Sequence, residues 1–161
     1  MQQTMPASLR PFNAGDQEFL FRLYASTRIR EIEPFGWPAA QQEAFLRMQF
    51  GAQQRWYETM YARAEHHIVE IEGQAIGRMM VLRQANPVVL VDISLLAEYR
   101  GQGIGSKLVR ALIEECRQSG AVLRLQVLKT NPALRLYQRL GFTRTGEDQM
   151  YVQMERTPSQ E

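Results

Sequence analysis

The stretch AEYRGQGIGSKLV, residues 97–109, places three glycines within five positions, directly before an amphipathic segment. Glycine weakens the start of a helix because it loses more backbone entropy on folding than any other residue. These glycines are therefore expected to serve a purpose other than helix formation. A loop of small residues entering a helix points several backbone N–H groups one way, and with the positive end of the helix dipole they bind phosphate.

Two interpretations of this loop compete, a packed tight turn and a phosphate cradle. Side chains at Gly101, Gly103 and Gly105 would keep a pyrophosphate away from the backbone, and Arg100 adds a cation with planar donors. A strand pattern before the loop and a helix pattern after it favour the cradle. No G-K-[ST] Walker ending and no G-x-G-x-x-G dinucleotide fingerprint is present.

Composition limits the class of protein. The chain has 161 residues, 45% of them hydrophobic, which is typical of one globular domain with a real core. The net charge is +2 and the basic residues are scattered, which argues against a nucleic-acid surface. The first residues lack the apolar core of a signal peptide, and no apolar run is long enough to cross a membrane. A single cysteine, Cys116, fits a reducing compartment, so a cytoplasmic location is expected.

Hydrophobic periodicity predicts the order β-α-α-β-β-β-α-β-α-β-β. Asp16 is expected to cap a helix of about residues 17–30, and a second helix is expected over about 39–62. From residue 66 the period changes to two, with a hairpin turn predicted at Glu72-Gly73. The fold class is α/β (α+β), a mixed sheet with helices on both faces.

Two motifs resemble a known family. RGQGIG, residues 100–105, fits the signature [RQ]-x-x-G-x-[GA], and LRLQVLKTNPALRLYQRLGF, residues 123–142, resembles the motif that follows it. By these motifs the chain is identified as a member of the GNAT superfamily of acyl-CoA-dependent N-acetyltransferases. The resemblance covers about residues 66–156. It implies a single domain over residues 1–161, with a cofactor-binding core at about 66–156 and acceptor-side helices at about 16–62.

The resemblance implies a sheet of six to seven strands whose two central parallel strands splay apart. The pantetheine arm of acetyl-CoA, the cosubstrate, inserts there as a pseudo-strand, with backbone bonds from Ile93, Ser94 and Leu95. No metal is implied, and His66 and His67 lack further ligands at suitable spacing. The remaining cofactor-binding residues by similarity are Arg100, Gly101, Gln102, Gly103, Ile104, Gly105, Ser106, Asn131 and Tyr137.

Tyr137 and Asp92 are the catalytic candidates. By similarity Tyr137 protonates the departing thiolate; the alternative is a tyrosine that only packs. Asp92 lies within a hydrophobic strand, where a carboxylate must be solvated, paired or functional. Three roles are open for Asp92. It accepts a proton from the acceptor ammonium, it only binds that ammonium, or it forms an ion pair with Arg124 or Arg78.

Alternation sorts the strand 88–96 into two faces, Val89, Val91, Ile93 and Leu95 on one, and Leu90, Asp92, Ser94 and Leu96 on the other. The same alternation on strand 122–128 puts Gln126 in the cleft with Asp92. Gln126 stands where the family often carries a glutamate base. A glutamine cannot take the proton, so Asp92, a water chain or an already neutral acceptor must serve.

The acceptor is expected to be a small-molecule or peptide amine that the sequence does not identify. Glu31 and Glu33 would attract its charge, Trp37 would stack on it, and Gln53 and Tyr57 would line the pocket beside Gln126. Solvated faces and loop anchors are the alternatives for these residues. A homodimer through the terminal strands is expected by similarity alone. A non-catalytic acyl-CoA sensor or partner-binding module remains the alternative function.

Overall fold

The computed structural model describes residues 6–159. The order of strands and helices predicted from periodicity is confirmed. In chain order the elements are β1 Ser8–Pro11, α1 Gln17–Ile32, α2 Ala39–Met60, β2 Glu65–Ile71, β3 Gln74–Leu82, β4 Val88–Leu95, α3 Ile104–Ser119, β5 Leu123–Leu128, α4 Ala133–Arg139, β6 Thr143–Glu147 and β7 Tyr151–Arg156.

The strands form one seven-stranded sheet in the order β1-β2-β3-β4-β5-β7-β6. Helices α1 and α2 pack on one face of the sheet, and α3 and α4 on the other. The central pair β4 and β5 is parallel, and its register spans only Val88–Leu90 against Leu123–Leu125. Beyond Leu90 the two strands separate, as the predicted splay requires. The fold class is confirmed.

Turn residues act where the sequence predicts them. Gly36 ends the first helical region with φ 68°, and the β2–β3 hairpin turns at Glu72 and Gly73 with φ 51° and 77°. Gly120 closes α3 with φ 75°. These left-handed conformations are the ones for which glycine has no steric penalty.

Asp16 stands at the N-cap position of α1, as predicted, but its side chain does not cap that helix. Its carboxylate accepts a bidentate pair from the Arg10 guanidinium at 2.7 and 2.8 Å and a bond from the Asn13 backbone N–H at 2.9 Å. It makes no side-chain bond to α1. A guanidinium offers stronger, charge-assisted donors than a helix N–H, so it takes the carboxylate. The Arg10 bond also lowers the pKa of Asp16.

The predicted alternation along β4 is also wrong, because the strand carries a bulge. Val81 pairs with Leu90 while Met80 pairs with Asp92, so Val91 is an extra residue without a partner on β3. A bulge shifts every later side chain to the opposite face. Alternation placed Leu90 with Asp92, but Leu90 packs with Ile93 and Leu95 in the core under α3. Val89 and Val91 do not belong to that core. Asp92 and Ser94 lie on the α1–α2 face of the sheet.

Candidate functional site

The glycine loop adopts backbone conformations that only glycine takes without strain. Gly101 has φ 73° and Gly103 has φ 82°, and a Cβ placed on either meets no atom within 4 Å. Gly105 lies in the first turn of α3 without a left-handed φ, and its Cβ would only touch Leu95 at 4.0 Å. The first two glycines are therefore required by the turn, and the space beside them is open.

The start of α3 presents unused donors. Among residues 6–159, the backbone N–H groups from Gly103 to Ser106 have no hydrogen-bond acceptor, and the first bond of the helix runs from the Lys107 N–H to the Gly103 carbonyl. The first N–H groups of any helix lack intrahelical acceptors and carry the positive end of its dipole. Four consecutive donors at a 16-residue helix fit a diphosphate.

Side chains hold this loop in place. The Nε atom of Arg100 donates to the Leu95 carbonyl at 2.9 Å, and the Gln102 amide donates to the Glu98 carbonyl at 2.7 Å. Ile104 is buried in the core, so its side chain anchors the start of the helix. Arg100 and Gln102 thus position the loop against the end of β4.

The edge of β4 that faces β5 loses its partner after Leu90. The side chains of Ile93 and Leu95 pack into the core, and the Ser94 hydroxyl donates to the Asp92 carboxylate at 3.1 and 3.2 Å. Beyond Leu90 the backbone of β4 therefore has no strand beside it on this edge. An unpaired edge inside a sheet binds an extended amide-bearing chain well.

Tyr137 is buried on α4, with its ring edge-on to Phe142 at 5.7 Å between centroids. Burial, with a smaller contribution from the Asp92 charge, raises the pKa of Tyr137 to about 12. The phenol is therefore protonated and available as a donor at every physiological pH. Before α4, the Oδ1 atom of Asn131 accepts the Ala133 N–H at 2.9 Å and its carbonyl accepts the Leu134 N–H at 3.1 Å.

Asp92 is the centre of a polar cluster. The Arg78 Nε atom donates to its Oδ2 at 2.7 Å, and the Arg78 Nη2 atom donates to the side-chain Oε1 of Gln53 at 3.1 Å. The Arg78 guanidinium also lies 5.4 Å from the centroid of the Tyr57 ring. The Arg78 side chain is 5% exposed and the Asp92 side chain 21%, so the carboxylate is the open end of the pair. Of the two ion-pair partners expected from the sequence, Arg78 is the one found; Arg124 pairs with Glu155 instead.

The residues predicted to bind the acceptor lie in three places: in the Asp92 cluster, on strand β5, and in or beside the α1–α2 connection. Gln53 and Tyr57 join the Asp92 cluster, where burial and then the Asp92 charge raise the pKa of Tyr57. Gln126 is exposed on β5, beside Gln153 of β7.

The predicted acceptor residues in and beside the α1–α2 connection contact residues nearby in sequence. Glu31 pairs with Arg28 at 3.3 Å and is exposed, as is Glu33. Trp37 stacks on Phe35 and meets Phe45 edge-on, each at 5.2 Å. No hydrogen bond among residues 6–159 joins these side chains to Asp92.

Other reactive groups stay outside this site. Cys116 is buried, and burial raises the pKa of its thiol, so it packs in the core as an unreactive side chain. Residues 6–159 hold no cluster of three or more histidine, cysteine or acidic side chains able to bind a metal. Within the same residues no helix has both the length and the apolarity needed to cross a bilayer.

Sequence reasoning did not foresee the link from β3 to α2. Arg78 was expected only as one of two partners for Asp92, and its bond to Gln53 crosses from the sheet to a helix 25 residues earlier. A buried arginine within a strand of methionines was the available signal, because a buried charge needs a partner.

Relatives of known sequence match part of this chain. Rat N-acetyltransferase 8 is 32% identical over 93 residues, covering 53% of this chain and 42% of that protein. The bovine thialysine N-epsilon-acetyltransferase is 46% identical over 56 residues, covering 34% of this chain and 33% of that protein. The chain thus spans well under half the length of these mammalian relatives.

Solved structures share the whole fold. The PaiA N-acetyltransferase of Thermoplasma acidophilum, in complex with coenzyme A, superposes with a TM-score of 0.70 at 18% identity and covers 95% of this chain and 99% of its own. A GNAT family acetyltransferase of Elizabethkingia anophelis with acetyl-CoA bound gives 0.59 at 13% identity, covering 94% and 97%.

A family model brings the sequence and structural findings together. The model of the acetyltransferase (GNAT) family matches residues 26–142, well over half of the chain and including both motifs. The family predicted from those motifs is confirmed. The chain belongs to the GNAT acetyltransferase family.

Proposed function

We propose that the protein transfers an acetyl group from acetyl-CoA to a primary amine, with both bound at once. The observation that carries the proposal is the run of unpaired N–H groups from Gly103 to Ser106, beside the split between β4 and β5. Structural relatives that hold coenzyme A or acetyl-CoA support it. Nothing in the reaction needs a metal ion.

The residues that hold the cosubstrate are those of the loop and the open strand edge. The backbone from Gly101 to Ser106 binds the diphosphate, and Arg100 keeps that loop against β4. The backbone of Ile93, Ser94 and Leu95 binds the pantetheine amides along the edge that β5 leaves free. Asn131 contributes from the start of α4. Because the phosphates meet main-chain donors, the loop sequence matters mainly through its glycines.

The reaction proceeds by direct attack. The amine nitrogen attacks the thioester carbonyl carbon, a backbone N–H of β4 stabilises the oxyanion, and the C–S bond breaks as the C–N bond persists. Tyr137 donates its O–H to the departing sulfur. A thiol has a pKa of roughly 8.5, so a phenol at about 12 is the weaker acid. Tyr137 therefore stabilises the thiolate chiefly as a hydrogen-bond donor, and the amine supplies the proton that coenzyme A finally carries.

Asp92 receives the acceptor. Its carboxylate is the exposed end of the pair with Arg78, so a primary ammonium reaches it from the α1–α2 side. Asp92 binds the ammonium and takes its proton, which frees the nitrogen lone pair for attack. Gln126 is exposed and has no acidic group, so it takes no proton. Gln53 and Tyr57 hold Arg78 in place beside the carboxylate.

The acceptor is a small molecule or a peptide with a primary amine. Glu31, Glu33 and Trp37 lie in and beside the α1–α2 connection and contact the part of the acceptor that remains outside the Asp92 cluster. A cytoplasmic location and a homodimer through β7 stay predictions, as does the single domain over residues 1–161.

The first test measures release of free coenzyme A thiol from acetyl-CoA with a panel of primary amines. Turnover with at least one amine is expected. Tight binding of acetyl-CoA with no amine-dependent release would refute the enzyme and favour the non-catalytic sensor.

Two variants test the residue roles. Tyr137→Phe is expected to bind acetyl-CoA normally and to lose at least about 10-fold in kcat, because the sulfur loses its donor. Equal turnover would remove Tyr137 from the chemistry. Asp92→Asn is expected to lower the rate and shift its pH profile. An unchanged profile would remove Asp92 from the proton path.

A further inference from the structure

A cavity of about 280 Å³ lies on the α1–α2 face of the sheet; Arg78 borders it, and its bonded partner Asp92 does not. Its walls come from the start of α1, the end of α2 and strands β2 and β3. The rings of Phe12, Tyr57, Tyr61 and His66 and the side chain of Met80 form one part of the lining. Polar side chains, among them Gln17 and Gln54, form the rest. None of the residues assigned to the cosubstrate borders it.

One polar atom of this cavity has no partner. Phe12 and His66 stack in parallel at 4.6 Å, and the Nε2 atom of His66 is buried with no hydrogen-bond partner among residues 6–159. A buried polar atom without a partner is destabilising, and such atoms often belong to binding sites. Burial, and then the nearby Arg78 charge, lower the pKa of His66 to about 4, so the ring is neutral near pH 7.

Arg78 joins this cavity to the Asp92 cluster. Its guanidinium lines the cavity, while Nε and Nη2 are bonded to Asp92 and Gln53. The Asp92 carboxylate already compensates the charge of the Arg78 guanidinium. The other charged wall residue, Glu58, is exposed, and the lining amides of Gln17 and Gln54 are bonded to each other at 2.8 Å. The interior therefore suits a neutral group.

We propose that this cavity receives an apolar side group of the acceptor, an aromatic ring fitting best, while the acceptor's ammonium lies at Asp92. The acceptor class is then an arylalkylamine or a peptide whose first residue is large and apolar. This assignment rests on the proposed acetyl transfer and narrows its substrate.

Size and chemistry agree with such a ring. An apolar cavity of roughly 150 Å³ accommodates benzene. The larger volume here holds a ring and its linker. Flat aromatic walls favour offset or edge-on contact with another ring. A hydroxyl on that ring would pair with the His66 nitrogen, which favours a phenol over a plain phenyl group.

The test compares 2-phenylethylamine with propylamine, which offers the same ammonium without the ring. The wild-type kcat/KM is expected to be at least about 10-fold higher for the aromatic amine, since binding of one ring contributes about 1.5 kcal/mol or more. Ala64 lines the cavity, and Ala64→Phe fills it, so the preference should fall below about threefold. Ala62→Phe, at an exposed lining position, is the second filling variant should the first not fold.

The matched control is Ala44→Phe, the same substitution on the exposed outer face of α2. It should keep the wild-type ratio between the two amines. No preference for the ring in the wild type overturns the proposal. So does a filling variant that lowers kcat/KM equally for both amines, since the cavity would then lie off the path of the acceptor.

A binding measurement separates this inference from the proposed function. Calorimetry with benzyl alcohol, which cannot be acetylated on nitrogen, is expected to show binding to the wild type and at least tenfold weaker binding to Ala64→Phe. If no amine is acetylated while benzyl alcohol binds in this pattern, the proposed function fails and the cavity stands as a ligand site. Equal binding to both proteins, or none to either, overturns the cavity assignment.

Discussion

Replacing Gly103 by alanine tests the phosphate cradle at its most exposed point. Gly103 has φ 82°, and a Cβ there meets no protein atom within 4 Å. The added methyl group therefore causes no steric clash within the protein. It imposes a backbone cost of about 1–2 kcal/mol, because an L-residue avoids the left-handed region.

The loss of coenzyme A affinity follows from the same geometry. Either the loop relaxes to a negative φ and turns its donors away, or it keeps its shape and the methyl group occupies the open space of the ligand. A hydrogen bond to a charged oxygen is worth about 1.5–3 kcal/mol. Losing one such bond corresponds to about 10- to 150-fold in affinity, at 1.4 kcal/mol for each factor of ten.

Gly120 is a matched control within the chain. It follows α3 with φ 75°, and its Cβ also meets no atom within 4 Å. Gly103→Ala and Gly120→Ala should lose similar stability in urea denaturation. Calorimetry with coenzyme A should show weaker binding for Gly103→Ala alone. Wild-type affinity in Gly103→Ala, or an equal loss in both variants, would refute the cradle.

Three further predictions concern stability and packing. His66 has a pKa of about 4 in the fold and about 6.5 unfolded, so stability should fall by about 1–2 kcal/mol as the pH drops from 6.5 to 5; in His66→Phe, urea denaturation should be flat over that range. Gly77→Ala puts a Cβ against the Ser94 carbonyl oxygen and 2.7 Å from the Leu95 side chain, so it should cost about 1–3 kcal/mol and weaken coenzyme A binding by displacing β4 as a whole; unchanged calorimetry would contradict this. Native Cys116 should resist iodoacetamide, and labelling by mass spectrometry should occur only on unfolding.

The order of elements could be predicted because local chemistry determines most of it. Gly36, Gly73 and Gly120 sit at left-handed turns, and the alternating segments between such turns became strands. The loop at 100–105 was recognisable because its glycines meet a backbone requirement at two of three positions. These features depend on neighbours in sequence, so periodicity and turn residues reveal them.

The bulge at Val91 was not predictable in this way. Alternation assumes an unbroken period of two, and a bulge arises from the pairing of β3 with β4, which the sequence does not display. It matters for function because it places Asp92 on the face of the sheet where α2 lies. Without the bulge Leu90 would share that face. The Arg78–Gln53 bond likewise depends on tertiary packing.

The pair of Asp92 and Arg78 complicates any test of a catalytic base. Removing the carboxylate leaves a guanidinium whose side chain is 5% exposed without its counterion. Breaking a fully buried pair costs about 3–5 kcal/mol, and the partly open Asp92 suggests about 2–3 kcal/mol here. Asp92→Asn should therefore lose both stability and rate. Arg78→Met removes the unpaired charge, so the double variant should regain stability in urea denaturation while its rate stays low. If the double variant also regained the wild-type rate, Asp92 would serve the fold and not the reaction.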